Sequence, residues 1–103
     1  MAKRIKLLVR KNLKMSEGKI AAQCVHAALG LARLRPEAAD PILSVVVLLV
    51  SDKKFLEAVP INVHTPQEFP YIVKDKGYTE VASGTETVMA FLEDDPREET
   101  TVL

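Results

Sequence analysis

Cysteine occurs once in this 103-residue sequence, at Cys24, so the chain cannot staple itself with a disulfide and suits a reducing compartment. Histidine occurs twice, at His26 and His64, and Cys24 and His26, two residues apart, fall on different faces of a helix. A metal site therefore has little to build on. No apolar run approaches the roughly 20 residues that span a bilayer. The longest, Val45 to Val50 with Ile42 and Leu43 ahead of it, is strand-sized. The basic N-terminus precedes Ile5–Val9, which is too short for the core of a signal peptide. There is no phosphate-cradling glycine loop, dinucleotide fingerprint or nucleophile elbow. Net charge is also absent, with 14 basic and 14 acidic side chains, unlike a protein that binds nucleic acid through overall charge. The expectation is a cytoplasmic protein with no membrane partner, no cofactor and no metal.

What is present is the composition of a folded globular chain: 48% hydrophobic and 27% charged residues, in a length that makes one domain. The domain is taken as residues 1–103, with 93–103 as an acidic tail. Charge is unevenly placed. Residues 1–19 hold seven Lys or Arg against Glu17 alone, and residues 93–99 hold five acids against Arg97 alone. Such runs are either solvated surface or a local surface for phosphates.

Ile5–Arg10 reads as a strand. Ser16 is placed to cap a helix that runs from Lys19 to about Leu34, an alanine-rich stretch without proline. Pro36 ends it or opens a short further turn. Ile42–Val50, almost all β-branched or Leu and bounded by turn signals, is expected as a strand buried on both faces. Ser51 and Asp52 can cap a short helix over Lys53–Ala58, stopped by Pro60. Residues 59–70, with three prolines, read as loop; Tyr71–Val73 and Thr87–Leu92 read as strands with turns at 75–79 and Gly84 between them. The pattern is an α/β sandwich with a mixed sheet.

On the long helix, Lys19, Gln23 and His26 recur at i, i+4 and i+7 and share one stripe. The neighbouring stripe, Ile20, Cys24, Ala27 and Leu31, is apolar and faces the sheet. Lys19 sits in the first turn, where a cation opposes the helix dipole, which makes it a functional candidate or a solvated side chain with its stem on the core. His26 is a base or a half-buried structural histidine, and Cys24 a packing residue rather than a nucleophile. In the C-terminal third, Asp75 lies near the hydroxyls of Thr79, Thr85 and Thr87. A carboxylate at a strand end with hydroxyls nearby can orient a water for attack on an ester; equally, the segment can be a turn followed by β-favouring threonines.

Two segments carry a resemblance. Val9-Arg10-Lys11-Asn12-Leu13-Lys14-Met15, followed by Gly18-Lys19-Ile20-Ala21-Ala22-Gln23 and His26-Ala27-Ala28, resembles the N-terminal signature of the peptidyl-tRNA hydrolase 2 family. Asp75-Lys76-Gly77-Tyr78-Thr79-Glu80, with Gly84-Thr85-Glu86-Thr87-Val88, resembles its second signature. The resemblance implies a three-layer α/β sandwich, a four-stranded mixed sheet with helices on both faces. It also implies metal-independent hydrolysis of the ester of peptidyl-tRNA, releasing peptide and free tRNA. Lys19, Asp75, Thr79 and Thr87 would then be catalytic. Gln23 and His26 would shape the site, and Lys11 and Lys14 would meet tRNA phosphates. The sequence departs from the family pattern at Lys76, where the family has Ala, and at Glu80, where it has Gln. Its middle is read as shortened, and no C-terminal helix is expected after Leu92. These departures leave open a catalytically inactive or regulatory binding domain on the same scaffold, and a face short of its helix is expected to be covered by a second copy in a homodimer.

Overall fold

The computed structural model describes residues 2–59, 70–77 and 80–96. Along the chain these form β1 (Lys3–Arg10), α1 (Glu17–Leu34), β2 (Ser44–Val50), α2 (Asp52–Glu57), β3 (Tyr71–Lys74) and β4 (Glu86–Asp94), with 3-10 turns at Lys11–Leu13 and Pro36–Ala39. Both helices start where their serines dictate. Ser16 Oγ accepts from Lys19 N, and Ser51 Oγ accepts from Lys54 N, each satisfying a backbone donor that the first helical turn leaves free. Pro60, Pro66 and His64 lie outside the described residues.

The four strands make one mixed sheet in the order β2-β1-β4-β3, with β1 parallel to β2 and β4 antiparallel to both β1 and β3. Helix α1 packs on β4, β3 and β1. On that side Ile5, Leu7, Val9, Val73, Val88 and Ala90 meet Ala27 and Leu31. On the opposite side Phe55 of α2 closes over Leu8 and Met89. The result is an α/β sheet with helices on both faces, a full helix on one side and a six-residue helix on the other. No helix among the described residues is long and apolar enough to cross a membrane.

Two readings of the sequence are corrected by the fold. The apolar run in β2 is not buried on both faces: β2 is an edge strand, and Val45, Val47, Leu48 and Leu49 are 42–58% exposed. The composition of a strand reports β preference, not its place in the sheet, and the central places fall to β1 and β4. The two charged ends are not simply solvated either. The β1–β4 register sets Lys3 opposite Asp94 and Arg4 opposite Glu93. Lys3 reaches Asp94 at 2.7 Å, Arg4 reaches Glu93 at 2.6 Å, and Lys6 takes the other Glu93 oxygen at 2.9 Å. Strand β4 thereby runs two residues past Leu92, and the start of the acidic segment is part of the sheet.

One irregularity bears on function. Ile72 pairs with Met89 but Lys74 pairs with Glu86, so two steps along β3 match three along β4. The extra residue on β4 is a bulge, a device that re-aims side chains. It accounts for Thr87 and Val88, consecutive in sequence, both facing α1.

Candidate active site

Gln23 stands on the buried line of α1, four residues before Ala27 and eight before Leu31, and is 5% exposed. The polar stripe expected at the edge of the core therefore runs from inside to outside: Gln23 is buried, Lys19 half-buried and His26 exposed. A buried amide needs partners for both its ends. Gln23 Nε2 donates to Asp75 Oδ2 at 2.9 Å, and its Oε1 accepts from Thr87 Oγ1 at 2.7 Å. Lys19 Nζ reaches the same Asp75 oxygen at 2.5 Å. Four side chains from α1, the end of β3 and the β4 bulge thus form one continuous network. No buried side-chain polar atom among the described residues lacks a partner.

Asp75 owes its position to the turn that begins with it. Its backbone N–H donates to Thr85 O at 2.9 Å, and its carbonyl accepts from Gly84 N at 2.7 Å, closing the base of the 75–85 loop. Gly77 N donates to Asp75 Oδ1 at 2.6 Å. Gly77 has φ +80, and a Cβ there would meet the backbone of Ser83, so this turn calls for glycine on both counts. The Lys19 ammonium, the Gly77 N–H and the Gln23 amide hold the Asp75 carboxyl below the usual carboxylate range, against the opposing effect of burial.

Glu80 fastens the same loop to the start of α1. Its two oxygens accept from Ser16 N at 2.8 Å and from Ser16 Oγ at 2.5 Å, while Ser16 Oγ caps Lys19 N. These bonds, with the nearby Lys19 charge, keep the Glu80 carboxyl below its ordinary value. Glu80 thus feels Lys19, but it bonds to Ser16.

Lys19, Gln23, His26 and Asp75 line a cavity of about 500 Å³ together with Tyr71, Val73, Lys74 and Lys76. The Tyr71 ring lies against Gly30, where any Cβ would collide with it, so α1 and the cavity wall approach as closely as a glycine permits. Of the expected site residues, Lys19, Gln23, Asp75 and Thr87 are joined by hydrogen bonds, and His26 shares the cavity wall. Thr87 is fully buried behind Gln23. Lys11 and Lys14 are exposed and do not line the cavity. Thr79 lies outside the described residues. Tyr71, Val73 and Lys74 were not singled out by their sequence context, although Val73 and Lys74 directly precede Asp75 and so share its strand end. Burial pushes the Cys24 thiol up, as befits a packing residue. Among the described residues no three His, Cys, Asp or Glu side chains gather where they could share a metal ion.

The sequence matches the family profile of Peptidyl-tRNA hydrolase PTH2 over residues 4–101. A protein of Schizosaccharomyces pombe named "Probable peptidyl-tRNA hydrolase 2" is 34% identical over 92 residues, covering 81% of this chain and 44% of that protein. A Methanothermobacter thermautotrophicus protein named "Peptidyl-tRNA hydrolase" is 33% identical over 95 residues, covering 86% of this chain and 84% of its own. "Peptidyl-tRNA hydrolase 2, mitochondrial" of Homo sapiens is 33% identical over 94 residues, covering 81% and 51%. The chain thus spans about half the length of the eukaryotic relatives and most of the archaeal one.

Proposed function

The chain belongs to the peptidyl-tRNA hydrolase PTH2 family, and on that premise we propose that it hydrolyses the ester of peptidyl-tRNA. Water adds to the ester carbonyl, the bond to the tRNA oxygen breaks, and the products are a peptide acid and the free hydroxyl end of the tRNA. The observation that carries this reading is the Lys19 ammonium held on Asp75 at the wall of the cavity. A fixed cation of this kind stabilises the oxyanion that develops on the carbonyl as water attacks. Asp75 accepts three hydrogen bonds and stays ionised, so it is a weak base; its work is to orient Lys19 and Gln23 and to hold water by hydrogen bonding. Thr87, out of contact with solvent, acts through Gln23. Thr79 is assigned to the water by resemblance. An inactive or regulatory binding domain is not favoured, since Lys19, Gln23, Asp75 and Thr87 are joined in one network and Glu80 bonds to Ser16 instead of pairing with Lys19.

The whole chain is read as one such domain, acting in the cytoplasm. The human relative's name places that protein in mitochondria, and subcellular fractionation decides the compartment here. The association state is read as a homodimer. Supporting it is the seven-residue edge strand β2, which carries no charge and no proline, the usual guards of a free edge. A monomer by light scattering at micromolar concentration overturns that part.

The enzymatic reading is tested by release of free tRNA from a defined peptidyl-tRNA. The expected result is turnover by the parent protein, with kcat lowered roughly 10²–10³-fold in a folded Lys19→Ala variant. A parent protein inactive at low salt and high enzyme concentration contradicts the proposal.

A further inference from the structure

The distribution of paired and unpaired cations points to where the substrate's phosphates are held. Lys3, Arg4 and Lys6 at the basic end of the chain are engaged by Asp94 and Glu93, and Arg10 by Asp52 at 3.0 Å. Arg10 also donates to Glu86 O. A surface already neutralised by its own carboxylates releases few counterions on meeting a polyanion. The amino end of α1, which could otherwise attract an anion, is occupied by the Glu80 carboxylate on Ser16.

Lys11 and Lys14 are exposed without a carboxylate partner among the described residues, but they stand apart from the cavity where the ester is held. The cavity has its own unpaired cations. Its lining holds Lys19, His26, Lys74 and Lys76 against one acid, Asp75, and that acid is already committed to Lys19, Gln23 and Gly77. Lys74 and Lys76 flank Asp75, are exposed, and have no carboxylate partner among the described residues. Beside them the wall is made by Tyr71 and Val73, an aromatic and an aliphatic side chain. Cations next to an aromatic surface form the combination that holds a single-stranded nucleotide, with its phosphate on the lysines and its base or sugar on the ring.

We propose that Lys74 and Lys76 bind the tRNA phosphates nearest the ester, with Tyr71 beneath the adjoining nucleotide. This replaces the role that the family resemblance gives to Lys11 and Lys14. The inference rests on the hydrolase reading but can be tested apart from it. Lys74 and Lys76 are substrate-binding residues here, and their effect belongs in KM more than in kcat.

The experiment measures binding of deacylated tRNA to the full chain by fluorescence anisotropy between 50 and 200 mM salt. The parent is compared with K74A/K76A, with K11A/K14A, and with K53A/K54A, which removes the same charge from α2 on the other face of the sheet. Removing one lysine–phosphate pair lowers the slope of log affinity against log salt by about 1. The expected result is a fall of about 2 in K74A/K76A and a smaller change in both other double variants. An equal fall in K53A/K54A, a larger one in K11A/K14A, or no tRNA binding by the parent overturns the proposal. Peptidyl-tRNA turnover, measured separately, keeps the two readings apart. A hydrolytically inactive parent whose tRNA binding depends on Lys74 and Lys76 refutes the activity and leaves the phosphate site standing. An active parent with an unaltered salt slope in K74A/K76A does the reverse.

Discussion

Thr87 Oγ1 donates to Gln23 Oε1 across 2.7 Å, joining the bulge of a central strand to the buried line of the long helix, and neither residue is more than 5% exposed. The bond completes the Gln23 amide, whose other end is committed to Asp75.

Replacing Thr87 by Val keeps the shape and removes the donor. The Gln23 carbonyl is then left buried without its partner, at a cost of about 1–3 kcal/mol. In urea unfolding this appears as a lower midpoint with an unchanged slope. If the bond also fixes the direction in which Gln23 holds Asp75, peptidyl-tRNA turnover falls further than the fraction unfolded accounts for. A variant as stable and as active as the parent shows that the bond does neither.

Stability should fall on acidification. Lys19 and Gly77 hold Asp75 down, Ser16 holds Glu80 down, Lys3 holds Asp94 down and Arg10 holds Asp52 down. Burial raises Glu93, but Lys6 and Arg4 more than offset it. In each case the unfolded chain takes up its proton at a higher pH than the folded one does. The stabilisation is therefore complete above the ordinary carboxylate range, near pH 4–5, and drains away as pH falls through the lowered folded values. Thermal unfolding between pH 7 and pH 2.5 checks this. The expected result is a steep loss of Tm below about pH 4, shallower in Asp75→Asn, and a flat profile contradicts it.

Arg4 and Glu93 should couple. They face each other across antiparallel strands at 2.6 Å with only 18% and 27% of their side chains exposed. A double-mutant cycle over Arg4→Ala and Glu93→Ala is expected to give an interaction of about 0.5–1 kcal/mol that shrinks with added salt. Lys6 shares Glu93, so Arg4→Ala alone should cost less than Glu93→Ala. The reverse order would mean that the shared carboxylate does not organise this corner.

Local chemistry made much of the fold legible in the sequence. Ser16 and Ser51 announced helix starts, the alanine-rich stretch announced α1, and glycines marked the turns after Asp75. Strand order was not legible, because β2 and the core strands share the same β-branched vocabulary and only pairing decides which lies outside. The complementarity of the charged ends was hidden for the same reason: it exists only in the β1–β4 register. Lys19 and Gln23 were picked out as candidates by their spacing on one helix stripe, and Asp75 by the hydroxyls that follow it and by the family likeness. That Gln23 bridges Asp75 to Thr87 was not legible, because the bulge that turns Thr87 toward α1 is an offset between β3 and β4 that neither strand shows alone. The cavity wall at Tyr71 and Lys74 was missed because neither belongs to a motif.

The position of β4 has a kinetic consequence. The strand comes latest along the described chain yet sits between β1 and β3, and its pairing with β1 joins residues as far apart as Lys3 and Asp94. β1, α1 and β2 can assemble as a local unit, but Gln23 has no Thr87 to meet until β4 inserts. Folding should therefore be limited by a late, long-range docking step, with loop closure preceding most of its reward. Activity in refolding experiments should then return with that slow phase, after the helical signal has already recovered.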